Sequence, residues 1–209
     1  MQRERYIVTT AIEDELLQLG TATLYEASGL DCALDPAIRP AFVGASLCGR
    51  ALPVLTAPGD NLALHAVVEQ ARPGEVLVVD AGGLARGYWG EVLTVAAQHA
   101  GLLGLVIDGG VRDTEQLCAR CFPTFARAIC IRGTTKHWTG VLGEPMVVAG
   151  APVRRGDTVV ADADGVVVIP AGKLQDTLEH ARARMRKEED YLHRLEHGER
   201  TMDLYGFRR

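Results

Sequence analysis

The sequence predicts a mixed α/β fold laid down as one domain over residues 1–209. Three observations carry that reading. A chain of 209 residues suits one hydrophobic core with room for a terminal arm. Short apolar runs at 76–79 and 103–107 alternate with segments of helical period. After residue 146 the pattern becomes short β-rich runs parted by Gly-Asp turns, and then a charged helix.

The elements follow in order. Thr9 or Thr10 can cap a first helix, with Ile12, Leu16 and Leu19 at helical spacing over residues 9–19. A second short helix covers 22–27 and stops at Ser28-Gly29. Residues 31–40 are loop-like, with Asp35-Pro36 and Arg39-Pro40, and 46–56 reads as one or two strands. Pro58-Gly59-Asp60 is a turn, and Asp60 is a good N-cap for a helix over 61–70. After a turn at 72–75, residues 76–79 form a buried strand ending in Asp80-Ala81-Gly82-Gly83. Residues 84–89 are a loop. A helix then starts at Gly90, with Val92, Val95 and Ala96 facing inward.

Gly101 turns the chain into a strand at 103–107, and Asp108-Gly109-Gly110 reads as a glycine turn delivering Arg112 and Asp113. A crossover helix over 114–119 and a short segment at 124–126 follow. Residues 132–145 look like a long loop holding Lys136, His137 and Trp138. Strands at 146–149, 158–161 and 166–169 precede the charged helix at about 171–197.

Composition bounds the function. The apolar share is 47% and the charged share 23%, as in soluble globular proteins, and apolar runs break well short of a membrane span. A net charge of −5 argues against nucleic acid as the main partner. The first residues, Met1-Gln2-Arg3-Glu4-Arg5, lead into no apolar signal core, and five cysteines without an export signal read as reduced thiols. A cytoplasmic protein is the expectation.

Several motifs invite chemistry and are weak. The glycine-rich stretch 80–87 lacks both the phosphate-loop and the dinucleotide patterns, so it reads as a strand-to-helix turn needing positive φ. Nothing there suits S-adenosylmethionine. Cys118-x-x-Cys121 has no second pair at zinc spacing. There are three lysines, Lys136, Lys173 and Lys187, and none sits in an obviously buried place, which disfavours imine catalysis.

The strongest constellation is Gly90-Glu91 with Arg112-Asp113. A helix starting at 90–93 offers unpaired backbone N–H groups to an anion. Arg112 can grip a carboxylate through two parallel hydrogen bonds. Asp113 is a hard oxygen donor suited to Mg²⁺ or Mn²⁺, ions that keep several waters. The residues alone leave a second reading open, an Arg–Asp pair in which Asp113 simply caps the helix at 114–119.

The runs DAGGLARGYWGEVL, GLVIDGGVRDTEQL and FPTFARA, with PGDNLALH before and RRGDTVVADADGVVVIP after, resemble the family of 4-hydroxy-4-methyl-2-oxoglutarate aldolases and regulators of ribonuclease activity A. The resemblance spans about residues 20–190. It implies a swivelling β/β/α sandwich assembled as trimers or hexamers, with active sites at subunit interfaces. It implies that the backbone of Gly90, Glu91, Val92 and Leu93 holds the pyruvyl part of a 2-oxo acid. Arg112 would bind the carboxylate or keto oxygen, and Asp113 would ligate a divalent metal, Mg²⁺ or Mn²⁺. Glu188, with Glu189 as its neighbour, would order metal-bound water from an adjacent subunit. Glu91 stands where aspartate is common in the aldolases.

The reaction so implied is retro-aldol cleavage of substrates of the 4-hydroxy-4-methyl-2-oxoglutarate or 4-carboxy-4-hydroxy-2-oxoadipate type, with oxaloacetate decarboxylation beside it. Arg112, Glu91 and Asp113 are the expected catalytic residues. The same resemblance also allows a non-catalytic role, binding and restraining a ribonuclease. No nucleic acid or membrane partner is expected.

Overall fold

The computed structural model describes residues 11–208, so the cap expected at Thr9 or Thr10 lies outside the described residues. The chain opens with α1 (Ala11–Ser28), broken at Gly20 where φ/ψ is 76/158°. Its halves are the two helices read from the sequence. The second half restarts at Thr21, whose backbone N–H and hydroxyl both donate to Asp162, at 2.8 and 2.6 Å. There follow β1 (Arg39–Pro40), β2 (Leu47–Leu55), α2 (Leu62–Val68), β3 (Glu75–Asp80), β4 (Gly87–Trp89) and α3 (Glu91–His99). Next come β5 (Gly104–Val111), α4 (Thr114–Ala119), β6 (Thr124–Ile129) and β7 (Val141–Leu142). The chain closes through β8 (Met146–Val148), β9 (Ala151–Val153), β10 (Thr158–Ala161), β11 (Val166–Ile169), a 3₁₀ turn at Ala171–Lys173, α5 (Leu174–Glu196) and α6 (Thr201–Leu204).

One sheet runs in the order β1-β6-β5-β3-β2-β10-β11, with β4 added to β5 and β7 to β2. Its centre, β2, β3, β5 and β6, is parallel, and the flanking pairs β1/β6, β2/β10 and β10/β11 are antiparallel. The two faces of β3 show how the layers form. Leu77 and Val79 point into one cluster with Leu64, Val67, Leu93, Ala97 and Leu117 from α2, α3 and α4. Val76 and Val78 point the other way, into a cluster with Val148, Ala151 and Val153 of the β8–β9 hairpin. Helices, sheet and hairpin thus stack as α, β and β layers, the sandwich implied by the sequence. A third cluster seats α1 and α5 against Val160, Val167 and Ile169. Burying each such large side chain contributes roughly 1.5–3 kcal/mol.

Five expectations change. Asp108-Gly109-Gly110 is not a turn: β5 continues through it to Val111. A Cβ at Gly110 would come within 2.4 Å of the Arg86 carbonyl oxygen, and one at Gly109 within 3.0 Å of Ala81 Cβ. The glycines are there so that the 81–88 segment can cross closely. The supposed loop at 84–89 contains β4, and Tyr88 and Trp89 are buried. The 132–145 loop contains β7, and the N-cap of α2 is Asn61, although the Asp60 carboxylate still accepts the Leu62 N–H at 2.9 Å. Finally, α3 buries Leu93, Thr94 and Ala97, while Val92 is 80% exposed and Ala96 is exposed. The inward stripe includes Thr94 because its hydroxyl accepts the Trp89 indole N–H at 2.8 Å.

Candidate active site

The site is built where β5 ends. The Arg112 N–H donates to the Trp89 carbonyl at 2.9 Å, which carries the β4–β5 pairing one residue past the strand. Asp113 then adopts φ/ψ 58/39°, a left-handed conformation that aspartate tolerates better than most residues. That turn starts α4, whose Leu117 N–H bonds the Asp113 carbonyl at 2.9 Å. The Asp113 side chain makes no cap on α4. Its Oδ2 instead accepts the N–H of Glu91, the first residue of α3, at 3.0 Å. The helix-capping reading therefore fails for α4: the carboxylate is turned to the amide end of the neighbouring helix.

Gly90 makes this approach possible. Its φ of −164° is extended backbone that any residue adopts. A Cβ there would lie 2.3 Å from Asp113 Oδ2 and 3.2 Å from Arg112 Cγ. The glycine is required for space, not for conformation.

Arg112 Nε stands 3.8 Å from Asp113 Oδ2, and the two side chains are 48% and 40% exposed. Glu91 points elsewhere: its Oε1 accepts from both Nε and Nη2 of Arg120, at 2.8 and 2.6 Å. Arg120 is the C-cap of α4, and its carbonyl accepts the Gln98 side-chain N–H from α3 at 2.8 Å. Sequence reasoning did not single out Arg120. A basic residue at a helix end is an ordinary dipole partner, so nothing in the sequence marked it. The structure thus gathers Gly90, Glu91, Val92, Leu93, Arg112 and Asp113 at one end of α3, with Leu93 sending its side chain into the core.

Glu188 and Glu189 lie on α5, which packs on α1. Glu188 pairs with Arg184 one turn earlier, and Arg184 also pairs with Glu26. Among the described residues no group of three or more His, Cys, Asp or Glu side chains could enclose a metal. A hard cation held by one carboxylate, water and substrate needs no such group. Asp113 fits such a role, since among the described residues Oδ2 accepts the Glu91 N–H and the 40%-exposed carboxylate has a second oxygen to offer.

The surroundings are tied by hydrogen bonds. Asp60, 4% exposed, accepts the Thr135 hydroxyl and the His137 N–H through Oδ2 at 2.8 and 2.6 Å, pinning the 132–138 segment. Burial alone would raise its carboxyl, but donors on Leu62, Thr135, His137 and Trp138 outweigh that and hold it below the usual value. Asn61 Nδ2 donates to the Tyr88 carbonyl at 2.9 Å, while its buried Oδ1 has no partner among the described residues. The glycine turn after β3 has positive φ at Gly82 and Gly83, as the sequence required. Cys118 and Cys121 are exposed thiols at the end of α4.

With this geometry in place, comparison with known proteins decides the family. The model of the family described as "RraA-like: Aldolase/RraA" matches residues 9–168. The chain belongs to the RraA-like family. A protein of Halalkalibacterium halodurans named "Putative 4-hydroxy-4-methyl-2-oxoglutarate aldolase" is 35% identical over 186 residues, covering 88% of this chain and 83% of its own. The Streptomyces coelicolor RraAS2 structure, titled an unusual member of the RNase ES inhibitor RraA family, superposes with a TM-score of 0.77 at 27% identity, covering 89% of this chain and 98% of its own. The RNA-processing inhibitor RraA from Thermus thermophilis gives a TM-score of 0.60 at 32% identity, covering 66% and 84%. The chain is therefore similar both to a protein named as a putative aldolase and to structures titled as RraA proteins. No helix among the described residues is long and apolar enough to cross a membrane.

Proposed function

We propose that this RraA-like chain is a divalent-metal-dependent carbon–carbon lyase. It releases pyruvate from 4-hydroxy-2-oxo acids of the 4-hydroxy-4-methyl-2-oxoglutarate or 4-carboxy-4-hydroxy-2-oxoadipate type, and it decarboxylates oxaloacetate. The observation that carries this reading is the turn of Asp113 away from its own helix toward the amide end of α3, beside an unclosed Arg112. The aldolase name of the Halalkalibacterium halodurans relative supports it.

Asp113 would hold Mg²⁺ or Mn²⁺ through its carboxylate. The ion, when bound, supplies positive charge to polarise the 2-oxo acid. The N–H groups of the first turn of α3, at Val92 and Leu93, face an anion with the helix dipole behind them. Arg112 takes the substrate carboxylate or the keto oxygen and stabilises the charge that develops there as the C–C bond breaks. Glu91 is held by Arg120 through Oε1, so a water oriented by Glu91 or Glu188 takes the hydroxyl proton of the aldol substrate. In both reactions the C–C bonding pair stays on the pyruvate enolate, which then takes a proton from water at carbon to give pyruvate. Oxaloacetate loses CO2 and needs no hydroxyl base, so its decarboxylation draws on Arg112, Asp113 and the α3 N–H groups. Glu188, with Glu189 beside it, acts from a neighbouring copy in a trimer or hexamer, and the protein works in the cytoplasm.

The second reading, a non-catalytic binder that restrains a ribonuclease, is favoured by the names of the Thermus and Streptomyces structures. Pyruvate release from oxaloacetate and from a 4-hydroxy-2-oxo acid, with Mg²⁺ or Mn²⁺ and with EDTA, separates the two. Metal-restored release supports the lyase. Silence with every metal and substrate leaves the binder.

A further inference from the structure

We infer that Arg120 is a positioning residue: it holds the Glu91 carboxylate on the α4 side and so leaves the Arg112 guanidinium open to a substrate anion. The inference rests on the lyase reading for its purpose, and on geometry for its substance.

Two arginines and two carboxylates meet at the start of α3. Glu91 has a natural alternative partner in Arg112. The Glu91 N–H and Arg112 Nε both approach the same oxygen, Asp113 Oδ2, at 3.0 and 3.8 Å, so the two residues are immediate neighbours. Glutamate has enough rotatable bonds to reach either side. In the structure it is turned away, with two N–H groups of Arg120 on one carboxylate oxygen. Among the described residues the Arg112 guanidinium then keeps only the long contact to Asp113, too far for a hydrogen bond. Its terminal nitrogens make no ion pair among the described residues.

The Arg120–Glu91 pair is about 40% exposed on both sides. Exposed pairs contribute little to folding, so stability does not account for a doubly bonded contact between two helices. Arg120 is itself fixed. α4 ends in paired closing bonds, Phe122 N–H to Leu117 O at 3.1 Å and Cys121 N–H to Cys118 O at 2.9 Å. Gln98 holds the Arg120 carbonyl from α3. The guanidinium thus springs from a backbone tied to the helix that carries Glu91.

The test uses two readouts on the full chain. The first is labelling by phenylglyoxal, mapped by peptide mass, which reports how available each guanidinium is without any substrate. The second is binding of oxalate, a 2-oxo acid enolate mimic, with Mg²⁺ present. In Arg120→Ala, Glu91 swings to Arg112, so Arg112 labelling slows and oxalate binds about three- to fivefold more weakly at low salt, the weight of an exposed ion pair. Adding Glu91→Gln to that variant restores both, because the competitor has lost its charge. Arg120→Lys lies between, and kcat for oxaloacetate falls less than kcat/KM. Unchanged Arg112 labelling in Arg120→Ala, or failure of Glu91→Gln to restore it, overturns the inference and leaves the lyase reading standing. Labelling that follows this pattern in a protein that binds no oxalate sinks the lyase reading and leaves the positioning of Glu91 intact.

Discussion

Replacing Gly90 by alanine places a methyl carbon 2.3 Å from Asp113 Oδ2, closer than any real contact. Backbone conformation is not the issue, because alanine adopts the φ of −164° without strain. The Asp113 carboxylate must therefore leave the Glu91 N–H. Hydrogen bonds to charged groups contribute about 1.5–3 kcal/mol, and partial exposure of Asp113 reduces this to roughly 1–2 kcal/mol. A change of that size in the placement of a metal-holding group lowers kcat/KM about tenfold. The assay is pyruvate release coupled to NADH oxidation, alongside urea unfolding. Gly29→Ala is the comparator, with open space around its Cβ but φ of +63°. It costs about 1 kcal/mol of stability through strain and leaves pyruvate release unchanged. A Gly90→Ala protein with full activity and full stability would refute the reasoning.

Three further outcomes follow from the same structure. Cys121 occupies the left-handed position after α4 at φ 51°, where glycine is favoured, so Cys121→Gly raises stability by about 1 kcal/mol and Tm by about 2–4 °C in a thermal melt. Asp60→Asn removes the carboxylate that pins the 132–138 segment and lowers stability by roughly 2–3 kcal/mol at pH 7. Because the folded carboxyl lies below the ordinary value of 3.8, its contribution is present above that value and is lost as the pH falls through the folded one, so wild type and Asp60→Asn converge in urea midpoints in acid. Burial pushes the Cys48 thiol up to about 12, so at pH 8 a disulfide reagent titrates Cys118 and Cys121 in the native protein and reaches Cys48 only after denaturation.

The parallel core was legible because β3 and the first half of β5 are continuous apolar runs, the mark of strands buried on both faces. The second half of β5 was not, because two glycines chosen for a close crossing look like turn residues. β4 stayed hidden for a related reason: the two residues between Gly87 and Gly90 carry no period, and Trp89 is covered by Phe122, which stacks on it at 6.0 Å from a distant element. The face of α3 was misread because a buried threonine, satisfied by the Trp89 indole, looks polar in sequence. At the site, Arg112 and Asp113 were visible as a charged pair after a strand. The direction of the Asp113 carboxylate and the grip of Arg120 on Glu91 were not, since both arise from how α3 and α4 meet in space.

The most direct measurement is pyruvate formation from oxaloacetate and a 4-hydroxy-2-oxo acid by wild type and Asp113→Ala, each across a Mg²⁺ and Mn²⁺ titration after EDTA treatment. The account predicts that metal restores the wild type in a saturable way and that Asp113→Ala stays at least about a hundredfold lower at every metal concentration. Equal rates for the two proteins, or rates indifferent to EDTA, would contradict it.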